Sequence, residues 1–298
     1  MPKCRICNSK KSQHLRANTV FGGREEHNFW ECDNCGVIYL YPYLSDEEEK
    51  HFYKKEFEKF MSSRVGDHRD WSNAQKHIDS NQDQVKRRWQ FLKDDIKKDK
   101  SILEIGCSSG FMMDAFRDSG LNCYGVEPSG EFLEFLQNNG HTAYESLDDL
   151  KLNENIKFDM IVHFFVFEHI ADPFKFLEEK YDLLNDGGVI IAEIPSATDV
   201  LTSVYDIPAF ENFYWSIAHH YYYNPKSLEY ILNKLGYKYE ILPEQRYDLS
   251  NHMTWMMDGK PGGQNRFDIF SQDTLESYQN DLKKNWKCDT VILKIFKD

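Results

Sequence analysis

The sequence has no long apolar run. Nothing approaches the roughly 18 consecutive apolar residues that cross a bilayer, and no charged segment leading into an apolar one opens the chain. Neither a membrane span nor an export signal is expected, and the reading is a cytoplasmic protein. Basic charge is also scarce: 36 Lys and Arg stand against 49 Asp and Glu, a net charge of −13. A nucleic-acid backbone would be repelled over most of such a surface, so a polyanionic partner is disfavoured. Internal repeats and low-complexity tracts are missing too, which sets repeat architectures aside.

What is present is 298 residues, 41% of them hydrophobic and 15% aromatic, enough for one full α/β domain with a small appendage. Of the seven cysteines, four form two C-x-x-C pairs, Cys4/Cys7 and Cys32/Cys35, joined by residues 8–31. Two such knuckles suit one tetrahedral ion, and four thiolates select zinc. With every ligand position filled by cysteine no coordination site stays open, so the expected role is structural. A redox pair would open a helix after a strand, which neither pair does. Val20, Phe21, Phe29 and Trp30, around Gly22-Gly23, read as the hairpin of a zinc ribbon over residues 1–42. Cys107, Cys123 and Cys288 sit in apolar surroundings and are expected to be reduced and buried.

Residues 43–98 read as a helical connector or lid. Ser45-Asp46-Glu47-Glu48 is a capping box that starts a charged helix running to about Phe60. A polar stretch from Ser62 to Ser80 follows, and Val85, Arg88, Trp89 and Leu92 then recur at helical spacing; Arg87 and Arg88 are expected on a solvated face, beside one buried Trp.

From residue 99 onward short apolar runs alternate with amphipathic helical ones, as a doubly wound sheet requires. Ser101–Ile105, Asn122–Val126, Asp159–His163, Val189–Ile194 and Thr290–Lys297 are the expected strands. Asp172-Pro173 and Asn224-Pro225 are N-cap and first-turn pairs. The first strand runs into Glu104-x-Gly106-x-x-x-Gly110, and Glu127 ends the second strand about twenty residues later, where an acid accepts hydrogen bonds from ribose hydroxyls. The dinucleotide pattern G-x-G-x-x-G is missing, so adenosine without a pyrophosphate is the better fit.

Leu103–Gly110, Gly125-Val126-Glu127-Pro128-Ser129, Phe167-Glu168-His169-Ile170-Ala171-Asp172-Pro173 and Leu184-Asn185-Asp186-Gly187-Gly188, in that order, resemble class I S-adenosylmethionine-dependent methyltransferases over roughly residues 85–242. The resemblance implies an α/β, Rossmann-like fold with a mostly parallel seven-stranded sheet. It also implies S-adenosylmethionine as cofactor, with Gly106, Cys107 and Gly110 along the methionyl moiety, Glu104 supporting that loop, and Glu127-Pro128 at the ribose. Leu147, Asp148 and His163 are candidates for the adenine and carboxylate contacts by position.

Class I enzymes take the acceptor at the carboxyl ends of the strands, and here two aromatic- and histidine-rich insertions, about 195–224 and 243–287, are placed to supply that site. Together with the cysteine module, they make the chain similar to the sugar C-methyltransferases of deoxysugar biosynthesis and to methyltransferases of surface-glycan and secondary-metabolite pathways. Aligned on the helix that starts at Asn224-Pro225, His220 takes the position of the base, His219 stands where the sugar enzymes have glutamate, and Tyr223 matches their tyrosine. Tyr222, Arg246, His252 and Lys260 are candidate acceptor contacts, the lysine for an anionic group. The expected acceptor is a small molecule such as a sugar, nucleotide sugar or anionic metabolite. The His219 replacement makes O-methylation at least as well supported as C-methylation. An RNA methyltransferase with a zinc module, a non-catalytic zinc-ribbon interaction protein and an aminopropyl transferase are the other classes the pattern admits.

Overall fold

The structure, a computed structural model, describes residues 1–52, 60, 73–264 and 266–298. The expected run of the first charged helix over residues 53–59, and the polar stretch up to residue 72, lie outside the described residues. The capping box that starts that helix is present: the Ser45 hydroxyl accepts from Glu48 N at 3.3 Å, and Ser45 N donates to the Glu48 carboxylate at 2.9 Å.

The amino-terminal module is built from β1 (Gln13–Ala17), β2 (Asn28–Cys32) and β3 (Ile38–Tyr41), all antiparallel. The hairpin therefore starts earlier than expected. Val20 and Phe21 lie in the connection rather than in a strand, because Phe21 is drawn away to form a bridge with Ser216. The main sheet is formed by β4 (Ser101–Ile105), β5 (Asn122–Val126), β6 (Thr142–Tyr144), β7 (Phe158–Phe164), β8 (Leu184–Pro195), β10 (Lys238–Glu244) and β11 (Thr290–Phe296). Its order is β10-β11-β8-β7-β4-β5-β6, seven strands of which only β11 runs against the others. β4 and β7 are covered on both faces, which is why their sequences are nearly continuous apolar runs rather than alternating ones.

β9 (Tyr221–Tyr222) belongs to neither the main sheet nor a free insertion. It adds to the edge of the amino-terminal sheet, with Tyr222 opposite Ile38 and Tyr221 opposite Tyr39. Phe29, Ile38 and Leu40 of the module share one apolar cluster with Trp215, Ile217 and Tyr222, and the Phe29 ring lies 5.3 Å from Trp215 and 5.2 Å from Tyr222. The module buries its apolar face against the very segment that carries the histidine pair.

The connector is also anchored from within. On helix Gln82–Leu92, Arg88 is buried and its Nε donates to Glu193 on β8 at 2.8 Å, while Arg87 donates to the other carboxylate oxygen at 2.5 Å. This overturns the expectation of a solvated arginine face. A carboxylate fully buried in mid-strand needs cationic partners, and both arginines are recruited to it.

Candidate functional site

The chain runs outward from β4 to β5 and β6, then returns to place β7 and β8 on the other side of β4. The carboxyl ends of β4 and β7 therefore flank the crevice where an open α/β sheet binds ligands. The loop after β4 has positive φ at Gly106 (69°), Ser108 (50°) and Gly110 (84°). A Cβ on Gly106 would come within 2.7 Å of Val166, and one on Gly110 within 2.5 Å of Leu136. Backbone amides can approach a ligand only if both positions stay glycine. Glu127 accepts from Ser108 N at 2.6 Å and from Ser129 N at 2.9 Å, which holds its carboxylate at the mouth of the loop. Glu127 N donates to Tyr144 O at 2.9 Å, bringing half-buried Leu147 and exposed Asp148, at the start of the next helix, to the same rim. Pro128 is exposed beside it.

Glu104 lies beneath the loop, only 4% exposed, and burial pushes its carboxyl up to about 8. The Cys107 sulfur packs where a side chain on Gly125 would stand, and burial raises its thiol well above the usual range. These groups form a cradle of backbone amides, a carboxylate and apolar walls, suited to an adenosine-type cofactor. His163 does not join it. Strand alternation turns its ring into the core between Phe167 and Phe176, at 5.9 and 5.3 Å, and burial lowers it to about 3. Two residues missed from the sequence do touch the loop. His77, from the connector, meets the Ser109 hydroxyl at 2.8 Å through Nδ1, and Val166 closes over Gly106.

Adjacent His219 and His220 point to different partners. Arg5, from the first cysteine knuckle, reaches His220 Nδ1 at 3.2 Å, and Glu49 lies 3.2 Å from His220 Nε2. Since a guanidinium only donates, Nδ1 accepts and the ring proton sits on Nε2, facing Glu49. Both nitrogens of the expected base are thus engaged by groups from the first 50 residues. His219 instead packs edge-on to His169, with ring centroids 4.7 Å apart, and joins Glu168 just after β7. Tyr223 is fully buried and stacked on Phe167 at 4.8 Å. Tyr222 is also fully buried; its hydroxyl donates to Tyr214 O and accepts from Ser216 N at 3.0 Å. That leaves Tyr222 a packing residue rather than a surface for an acceptor.

Of the other acceptor candidates, Arg246 is bound to Asp289 through Nε at 3.2 Å and stacks over Phe165, 4.5 Å from the ring centre, at the carboxyl end of β7. His252 is buried inside the second insertion, 2.7 Å from the Tyr278 hydroxyl, and burial holds it down at about 4. Lys260 is exposed beyond the end of helix Leu249–Asp258. A groove of about 520 Å³ between the amino-terminal module and the first insertion, lined by Arg16, Glu31, Thr198 and Asp206 among others, includes none of the glycine-loop residues.

The four cysteine sulfurs all lie within 4.8 Å of one another, with Cys4–Cys35 at 3.7 Å and Cys7–Cys32 at 3.5 Å. Sulfurs about 2.3 Å from a tetrahedral ion stand roughly 3.8 Å apart, so two of the pairs are already near that spacing and the donor set suits zinc. The Cys4–Cys35 contact pulls the Cys4 thiol down to about 7 and pushes Cys35 up, as two sulfurs that share one proton do.

The family described as a methyltransferase domain matches residues 75–241. Among curated proteins, the ubiquinone biosynthesis O-methyltransferase of Nitrobacter winogradskyi is 31% identical over 98 residues, covering 30% of this chain and 37% of that protein. The tRNA U34 carboxymethyltransferase of Campylobacter fetus is 33% identical over 104 residues, covering 32% of this chain and 36% of that one. The similarity therefore spans well under half the length of these relatives. Among solved structures, the plantazolicin methyltransferase BpumL in complex with SAH and a monoazolic desmethylPZN analog superposes with a TM-score of 0.51 at 14% identity, covering 84% of this chain and 93% of that one. That likeness concerns the fold.

Proposed function

The chain belongs to the methyltransferase-domain family, and from that premise we propose that it transfers the methyl group of S-adenosylmethionine to a small polyhydroxyl or anionic acceptor. A sugar or nucleotide sugar of glycan or secondary-metabolite biosynthesis, methylated in the cytoplasm, is the reading its own residues support best. The observation that carries it is the loop after β4, where Gly106 and Gly110 take positive φ and Glu127 is held by Ser108 N and Ser129 N. The O-methyltransferases among the relatives favour oxygen as the atom methylated. The net charge of −13 weighs against an RNA acceptor.

The cofactor's sulfonium supplies an activated methyl group, so the protein's tasks are alignment and proton removal. Glu127 would hold the ribose hydroxyls and the Gly106–Gly110 amides the methionyl end, while zinc on the four cysteines fixes the module from which Arg5 reaches His220. His220, bridged to Arg5 and Glu49, is a positioning residue in this account. His169 and His219 are the histidines this account assigns to proton removal. Release of the demethylated cofactor is the test, with nucleotide sugars, sugar phosphates, catechols and tRNA offered in parallel. Turnover is expected with a sugar-class acceptor, and turnover confined to tRNA would overturn the assignment.

A further inference from the structure

We infer that Glu168, His169 and His219 form a second metal site, separate from the cysteine cluster, which holds a divalent ion against an oxygen of the methyl acceptor. The acceptor clause rests on the methyltransferase reading; the metal site itself rests on geometry alone. One donor atom from each residue lies within 4.8 Å of the other two, and His169 Nε2 stands 3.9 Å from Glu168 Oε1. Ligands about 2.1 Å from a four-coordinate ion are roughly 3.5 Å apart, so the His169–Glu168 pair needs to close by about 0.4 Å and the other two pairs by at most about 1.3 Å.

The orientation of His169 is the second observation. Its Nδ1 lies 2.8 Å from the carbonyl oxygen of Ala218. A carbonyl cannot donate, so Nδ1 carries a proton, and in the neutral ring Nε2, on the side of Glu168, is the atom that would bind an ion. A carbonyl on the far ring nitrogen is the outer-shell partner that fixes tautomer and ring angle in metal-binding histidines. A backbone bond holds the two contributing segments together, His220 N donating to Glu168 O at 2.8 Å, and a local turn with His219 N donating to Ser216 O at 3.0 Å sets the second. Glu168 is 1% exposed and His219 6%, while the His169 side chain keeps 18% of its surface accessible.

Two imidazoles and one carboxylate suit zinc, manganese or ferrous iron, and three protein ligands leave at least one coordination position for an outside oxygen. The four-thiolate cluster offers no such position. Val166, two residues before Glu168, packs on Gly106, which brings the segment that carries Glu168 and His169 beside the cofactor loop. A hydroxyl bound there would be more acidic and would lie beside the methyl donor, a role a lone imidazole base cannot fill as well.

The test titrates Co²⁺ into the full chain with zinc already on its cysteines. One further ion per chain is expected, with weak visible bands and none of the intense near-ultraviolet absorption that sulfur ligands give. Glu168→Gln, which keeps shape and volume, and His219→Ala should each weaken it at least tenfold, while binding of S-adenosylhomocysteine, measured alongside, reports that each variant is folded. Absence of a second ion in the wild type, or its retention in both variants, would overturn the site. Failure of the wild type to bind S-adenosylhomocysteine would instead strike the methyltransferase reading and leave the metal result standing.

Discussion

Glu104 shows how far a single residue was readable. The resemblance implies that it supports the loop; the structure shows a buried side chain with its carboxyl pushed up to about 8 by burial. Because the folded value is raised, its contribution to stability is fully present below the unfolded value and is lost as pH rises through about 8. Glu104→Gln should therefore stay close to the wild type in stability at pH 5 and exceed it at pH 9, by about 4 kcal/mol; equal behaviour at both pH values would contradict a buried, neutral carboxyl. Gly110→Ala should cost both stability and cofactor affinity, since its Cβ would meet Leu136 at 2.5 Å where φ is 84°. Binding of S-adenosylhomocysteine, expected to weaken at least tenfold, checks it. Such glycines were legible because backbone geometry leaves little choice of residue. The partners of His220 were not: Leu40 N donates to its carbonyl, and Arg5 and Glu49 meet its ring, contacts from the far end of the sequence.

Among the elements, those that bury two faces were readable. β4, β5 and β11 stand out as apolar runs between turn residues, and Asp172 and Asn224 cap the helices that start at Pro173 and Pro225. β10 carries Lys238, Glu240 and Glu244 on a partly exposed sheet edge, and β9 is two residues long, so neither leaves a pattern. Helix Gln82–Leu92 looked merely amphipathic with exposed arginines because its partner, Glu193, lies inside a distant strand. Arg88→Ala, which leaves that buried carboxylate with less charge to face, should lower the unfolding free energy by roughly 3–5 kcal/mol. Urea denaturation measures it, and a loss under about 1 kcal/mol would mean that Arg87 alone satisfies Glu193.

For the molecule as a whole, the cysteine module and the methyltransferase domain share a sheet, a core and a hydrogen-bonded histidine, a union that no local signal announced. If zinc holds that module, its removal should be felt in the crevice. Chelation, or Cys4→Ser with Cys32→Ser, should speed amide exchange at Leu40 and Tyr222 and lower turnover more than cofactor affinity; unchanged exchange there would show that the module's fold does not depend on the ion. The central claim is that the Gly106–Gly110 loop and Glu127 hold the methyl donor. Calorimetric titration of S-adenosylhomocysteine into the wild type and into Glu127→Ala tests it most directly. The account predicts one molecule bound per wild-type chain and affinity reduced at least tenfold in the variant. No binding to the wild type, or equal binding to both, would contradict it.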